Sequence, residues 1–320
     1  MRVLVTGGAG YIGSITCRHL LDGGHAVTVL DTLEKGHAWA VDGRATLVVG
    51  DVGNATAVAE ALVGVDAVLH CAGYIEVAES QADPQRYFDN NVARPRVLLA
   101  VMQEMDVDTL VFSSTAAVYG EPASVPITED APTLPVNAYG QSKLDFERAL
   151  DEAATSGLRS VRLRYFNVAG ALPDGSLGEA HRPETHIIPR ILTAMAAGQG
   201  VFEVYGSDYP TPDGTCVRDY IHVCDLALAH RRALEHLQDG GAPAVCNVGN
   251  GRGYSNLEVV EMCARVTGSQ VEVIMGQRRP GDPAMLVASN QRAATLLGWA
   301  PERGDLRTIV SDAWRWHSKF

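Results

Sequence analysis

No stretch of this sequence stays apolar for the roughly 20 residues that a membrane helix requires, so no membrane partner is expected. The six cysteines (Cys17, Cys71, Cys216, Cys224, Cys246 and Cys263) include no C-x-x-C pair. They read as reduced, packed thiols rather than as disulfides or a zinc site. Basic residues are in deficit, 26 against 38 acidic, for a formal charge of −12. That balance argues against nucleic acid as a partner and for a soluble cytoplasmic protein. The first strand signal begins at residue 2 or 3, which leaves no room for a signal peptide. Repeats, linkers and low-complexity tracts are missing as well. His181 and His186 lack H-E-x-x-H spacing and the ten histidines suggest no ligand cluster, so no metal is expected. Gly249-Asn250-Gly251-Arg252-Gly253 lacks the Lys-Ser/Thr ending of a phosphate-binding loop and reads as a turn before a helix.

What is present is concentrated at the start. Val3-Leu4-Val5-Thr6 reads as a short buried strand running into Gly7-Gly8-Ala9-Gly10-Tyr11-Ile12-Gly13. Ser14 to Leu21 follows with helical spacing, Ile15, Cys17, Leu20 and Leu21 falling on one side. A strand, a glycine turn and a helix N-terminus point backbone amides and a helix dipole at one anion. Gly7 permits the turn, Gly10 lets a pyrophosphate approach the backbone, and Gly13 lets the helix pack against the sheet. A second strand, 26–30, ends at Asp31, where a carboxylate can bind ribose hydroxyls and would repel a 2′-phosphate. The cofactor predicted is NAD rather than NADP.

Strands and helices then alternate, as in a doubly wound parallel sheet. Further strands are predicted at 46–49 before Asp51-Val52, at 67–70 before Cys71-Ala72-Gly73, at 110–112 before Ser113-Ser114-Thr115, and at 161–165 before Phe166-Asn167. A single long helix is predicted over Pro84–Met105, carrying Asn90. Ligands of such sheets bind beyond the carboxyl ends of the strands, so these strand ends should line one crevice. The fold class is α/β, a Rossmann sheet over residues 1–168 with a smaller α/β substrate lobe over 169–320. The boundary is approximate, with interleaving of the two lobes left open.

Tyr139 and Lys143, at i and i+4, lie one above the other on a helix face. The spacing also occurs on exposed helix faces without consequence. Beside a cofactor, however, a cation next to a phenol favours the phenolate and makes it a base.

The glycine turn, Asp51, Asn90, Ser113-Ser114-Thr115, Tyr139 with Lys143, and Arg164-Tyr165-Phe166-Asn167 resemble the extended short-chain dehydrogenase/reductase family. The run from Tyr205 to His222 resembles the nucleotide-sugar 4-epimerase branch of that family, and the likeness extends over nearly the whole chain. It implies that NAD stays tightly bound and is regenerated at each turnover. It implies a UDP-hexose substrate, with UDP-glucose and UDP-galactose interconverted through a 4-keto sugar. Thr115 and Tyr139 would meet the 4-hydroxyl and Lys143 the nicotinamide ribose. Gly7, Gly10, Tyr11, Ile12, Gly13, Asp31, Asp51, Val52, Cys71, Ala72, Gly73, Asn90, Ser113, Tyr165 and Phe166 would complete the cofactor site. Arg218 and Arg279 would hold the diphosphate, Asp282 the uridine ribose, Tyr205 the uracil, and Asn167 and His186 the diphosphate or sugar. A homodimer through the Pro84–Met105 and Tyr139 helices is implied too.

The residues leave other readings open. Arg218 could pair with Asp219 at the surface, Tyr205 could be core, His186 could serve only a structural hydrogen bond, and Arg278 reads as a solvated neighbour. Ala116-Ala117 stand where related dehydratases carry an acid and a base, which argues against dehydration and, less firmly, against decarboxylation. Ile75 replaces a basic residue common in relatives. Leu286 occupies a gate near sugar carbon 2, where a tyrosine would exclude N-acetyl sugars. The alternatives are a 4-epimerase of UDP-glucuronate or UDP-N-acetylglucosamine, and a non-catalytic NAD-binding sensor on the same fold.

Overall fold

A computed structural model describes residues 1–279 and 281–319. Seven strands form one parallel sheet: β1 (Arg2–Thr6), β2 (Ala26–Asp31), β3 (Thr46–Val49), β4 (Ala67–His70), β5 (Thr109–Thr115), β6 (Arg159–Tyr165) and, after an excursion, β10 (Ala244–Val248). Their order is β10-β6-β5-β4-β1-β2-β3. The chain reverses its direction of travel at β1, so the loops after β1 and β4 part there and open the crevice where such sheets bind ligands.

Alternation along β1 sends Val3 and Val5 to one face and Leu4 to the other. Val3 and Val5 pack with Cys17 and Leu20 of the helix Tyr11–Asp22 and with Leu226, Leu234 and Leu237 of the helix Val223–Gln238. Leu4 packs with Val58, Leu98, Phe146 and Leu150 from helices on the opposite face. Both sheet faces are thus covered, and the strands are buried on both sides.

The smaller lobe is built on β7 (Asn167–Ala169), β8 (Val201–Tyr205), β9 (Val217–His222), β11 (Gly253–Ser255), β12 (Glu272–Gly276) and β13 (Met285–Leu286). β9 is central, pairing with β7, β11 and β13, while β8 pairs with β12. Helices Ile187–Ala196, Asn256–Thr267 and Leu306–His317 supply its core with Ile191, Leu192, Val259, Cys263, Ile309 and Val310.

The helix expected over Pro84–Met105 is not regular. It runs as Pro84–Phe88, a π turn over Asp89–Ala93, and Arg94–Glu104. Pro95 has no N–H for the carbonyl four residues back, so the ladder widens, and the Arg94 amide reaches Asp89 O instead.

Candidate active site

One cavity of about 1340 Å³ runs from the glycine turn, past the ends of β2, β4, β5 and β6, into the smaller lobe. At its cofactor end the backbone is too close for side chains. A Cβ on Gly13 would lie 2.2 Å from Gly7 O, and one on Gly7, at φ +71°, would lie 2.6 Å from Ala72 N. These contacts clamp the loops after β1 and β4 together and leave helix-terminal amides facing the cavity. Asp31 is buried at the end of β2 and its two oxygens accept from Ala9 N (3.0 Å) and Leu33 N (2.8 Å). Each oxygen keeps a second lone pair for a ribose hydroxyl. The cradle fits a dinucleotide.

Asp51 accepts from Gly53 N at 2.7 Å and pairs with Arg94 at 2.5 Å. The π turn presents two successive amides to the β4 loop, since Asn90 Oδ1 and Asn91 Oδ1 accept from Tyr74 N at 3.2 and 2.8 Å. Asn91 is buried and also donates to Ser142 at 3.0 Å, which ties the cofactor loop to the Tyr139 helix. Sequence reading passed over Asn91 and Tyr74 because a regular helix would have turned one of the two asparagines away.

The helix Ala138–Ala154 is held at its first turn from three directions. Asn137 caps it by accepting from Gly140 N at 2.8 Å, Gln81 accepts from Ala138 N at 3.0 Å, and Ser80 accepts from Tyr139 N at 3.1 Å. Tyr139 is therefore fixed by its backbone as well as by packing. Burial pushes its phenol up to about 12, and a hydrogen bond with Thr115 draws it back only in part. Thr115 Oγ1 already accepts from Ala117 N at 3.2 Å, which leaves its hydrogen free to donate toward the phenol. Lys143 Nζ donates to Ser113 O at 3.1 Å and stands 5.0 Å from the Phe112 ring centre. Burial brings it down to about 8, against the pull of Cys71 and Glu147.

Ser113 departs from its expected place, because it is fully buried and its side chain is not part of the cavity wall. His230 Nδ1 lies 2.9 Å from Leu226 O and must donate there, so Nε2 accepts from Ser113 at 2.8 Å. Ser113 Oγ can then accept from Cys71 Sγ at 3.1 Å. Ser113 supports the wall from behind, through Cys71 and through its carbonyl on Lys143.

All the other residues predicted for the cofactor and substrate line the cavity, from Gly7 through Phe166 and on to Asn167, His186, Tyr205, Arg218, Arg279, Asp282 and Leu286. Arg218 is buried on β9 and pairs with Asp282, not with Asp219. Asp219 instead accepts from Asn250 N, Gly251 N and Ala288 N, which fixes the 249–253 turn. Arg279 sits 4.3 Å from the Tyr205 ring centre. Arg278 is exposed, as expected of a solvated neighbour, and there it pairs with Asp208 and covers Tyr209 at 4.1 Å. Ala116, Ala117 and Ile75 line the cavity with apolar atoms.

The expectation that the histidines form no ligand cluster fails. Ligand atoms of Glu179, His181, Glu184 and His186 lie within 4.8 Å of one another, and all but Glu184 line the cavity. Burial works to raise the Glu179 carboxyl, but His186 and His181 outweigh it and hold it well below the usual range. The spacing H-x-x-E-x-H was visible in sequence; the approach of Glu179 required the fold.

A Rossmann sheet with a glycine cradle, a ribose carboxylate and a Thr–Tyr–Lys group defines a nicotinamide-dependent protein of the short-chain dehydrogenase type. Residues 3–249 match the model of the NAD dependent epimerase/dehydratase family. A UDP-glucose 4-epimerase of Lacticaseibacillus casei is 48% identical over 320 residues, 99% of this chain and 97% of that one. The crystal structure of UDP-glucose 4-epimerase from Brucella ovis in complex with NAD superposes with a TM-score of 0.96 at 45% identity, covering 99% of this chain and 98% of that one. The Bifidobacterium longum enzyme of the same name, in complex with NAD⁺ and UDP, gives 0.94 at 36% identity, covering 100% and 98%. This chain belongs to the NAD dependent epimerase/dehydratase family.

Proposed function

We propose that the chain is an isomerase that interconverts UDP-glucose and UDP-galactose by inverting sugar carbon 4. The observation that carries this reading is the Tyr139–Thr115 pair beside the glycine cradle, followed along the cavity wall by the methyl groups of Ala116 and Ala117. Gly7, Gly10 and Gly13 would hold the pyrophosphate of NAD, Asp31 the adenine ribose, and Lys143 the nicotinamide ribose. Bound there, NAD⁺ supplies a hydride acceptor that returns the hydride to the same carbon, and a positive charge that lowers the neighbouring phenol. Tyr139 takes the proton from the 4-hydroxyl, with Thr115 donating to the same oxygen system, and gives it back after the 4-keto sugar has turned over. Arg218 and Arg279 hold the diphosphate through which the sugar turns, Asp282 and Tyr205 the uridine, and Asn167 and His186 the region between.

With two methyl groups beside the pair, no side chain there can eliminate water. Purified protein given UDP-galactose and no added cofactor should yield UDP-glucose and release no NADH. Protein that carries NAD yet converts nothing would sink the proposal in favour of a sensor. Leu286, half-buried on β13, supports glucose and galactose forms over N-acetyl forms. Equal steady-state rates for UDP-N-acetylglucosamine would refute that preference. Exposed Phe88, at the end of the Pro84–Phe88 helix, supports a homodimer through that segment and the Tyr139 helix. Sedimentation as a stable monomer at micromolar concentration would count against it. The six free thiols support a reducing, cytoplasmic location.

A further inference from the structure

We propose that Glu179, His181, Glu184 and His186 form a site for a divalent first-row transition ion, best suited to Zn²⁺, in the wall of the catalytic cavity. The four residues come from one eight-residue segment, and it is held in shape from outside the cluster. Trp316 Nε1 donates to Glu179 O at 2.9 Å, the Trp316 ring packs on Gly178, and His37 Nε2 lies 3.0 Å from Ala180 O. Donor atoms converge within it. His186 Nδ1 is 2.7 Å from Glu179 Oε1 and 3.2 Å from Glu184 Oε1, and His181 Nδ1 is 3.0 Å from Glu179 Oε1 and 3.9 Å from Glu184 Oε2. Ligands about 2.1 Å from an ion in a tetrahedral set stand roughly 3.4 Å apart, so on binding the 2.7 Å contact must open and the 3.9 Å one close by roughly half an ångström each.

A second observation separates this arrangement from an ordinary ion pair. His181 Nδ1 is shielded from solvent yet lacks a hydrogen-bond partner despite its 3.0 Å approach to Glu179. Close approach without alignment is what donors facing a shared point show. Glu179 is 4% exposed, and in the empty cluster its counter-charge comes from the imidazoles of His181 and His186, a role that a divalent ion would take over. Two carboxylates, two neutral imidazoles and a 2+ ion sum to zero charge. Two nitrogen and two oxygen donors suit Zn²⁺, and Co²⁺ or Mn²⁺ less well, whereas Mg²⁺ and Ca²⁺ prefer all-oxygen sets.

Glu184 Oε1 is already taken by the amides of Thr185 and His186, each at 2.8 Å, so Oε2 is the oxygen left for the ion. With His186 Nδ1 on the metal, only its Nε2 could face substrate. The ion's place is thus structural, fixing the segment that leads into the helix Ile187–Ala196.

The test uses the NAD-loaded full chain, stripped with a chelator, dialysed, and titrated with ZnCl₂ against a chromophoric competitor. One equivalent per chain should bind with sub-micromolar affinity, and Co²⁺ at the same site should give visible d–d bands. His181→Ala and Glu184→Gln should each weaken Zn²⁺ by about tenfold or more, while His236→Ala, a half-buried histidine remote from the cluster, should bind as the parent does. Circular dichroism and retained NAD show that each variant is folded, and Glu184→Gln, the milder change, stands if His181→Ala is not. Failure of the parent to bind Zn²⁺, or unchanged binding in a folded His181→Ala or Glu184→Gln, overturns the proposal and leaves a hydrogen-bonded ion-pair cluster.

Discussion

At Tyr139 the competing influences are burial, which holds the phenol up at about 12, and the single hydrogen bond from Thr115. The oxygen itself is the only proton acceptor the side chain offers, so its removal takes away the base without disturbing the glycine cradle. Tyr139→Phe should lower turnover by about 10² to 10⁴-fold and leave the NAD content of purified protein unchanged, read by absorbance after denaturation. Retained turnover would show that another group moves the proton. Two turns further along the same helix, Glu147 pairs with Arg164 through contacts of 2.5 and 2.9 Å and accepts from Ser114 at 2.5 Å, with both charged partners buried. Arg164 in turn donates to the Tyr119 hydroxyl at 3.1 Å. Glu147→Ala strands a buried guanidinium and should cost about 3–5 kcal/mol, measured as a lower denaturant midpoint. That pair escaped sequence reading, because Glu147 stands in no motif and meets Arg164 only when β6 lies beside the helix.

Among the elements, the β1 turn depends on backbone closeness rather than on any side chain. Gly13→Ala would place a methyl carbon 2.2 Å from Gly7 O, a gap that only movement of the turn or the helix could relieve. The variant should purify with little or no NAD and regain at most weak activity on adding it, checked by cofactor content and by titration of the stripped protein. This element was legible beforehand because glycine spacing, a strand before it and an acid at the end of β2 are all local in sequence. The π turn was not, although its cause was visible. Pro95 announces a broken ladder, but the number of residues over which the break spreads depends on what Asn90 and Asn91 find to bind across the space between elements. The same holds for β10. Sequence reading did not mark its five residues as a strand, and nothing local says that they return to pair with β6 across more than 80 positions of chain. The cluster at Glu179 lies between these cases, since its four donors are local in sequence but converge only because Trp316 and His37 hold the segment from outside.

Across the whole molecule, several histidines are buried where an imidazolium cannot be solvated. Burial lowers His70 to about 3, with Lys143 adding to the effect, and lowers His230 to about 4. Thr6 Oγ1 at 2.7 Å from His70 and Ser113 at 2.8 Å from His230 bind the neutral rings. In the unfolded chain both titrate near 6.5. Below that value the unfolded state takes up protons that the folded state refuses, so stability rises with pH in this window and falls as the medium is acidified. At pH 5 each ring costs about 2 kcal/mol. Asp219 acts in the opposite sense, since burial raises it to about 6 and the folded state gains a proton there first. Burial also raises the Asp225 carboxyl and lowers His19, His25 and His317, so the lowered histidines outnumber the raised carboxyls and the net slope keeps the histidine sign. Chemical denaturation at pH 7 and pH 5 should show a loss of a few kcal/mol, and His70→Gln should flatten the pH dependence even where it lowers stability at pH 7. An unchanged slope in that variant would mean that the acid sensitivity originates elsewhere than in the sheet.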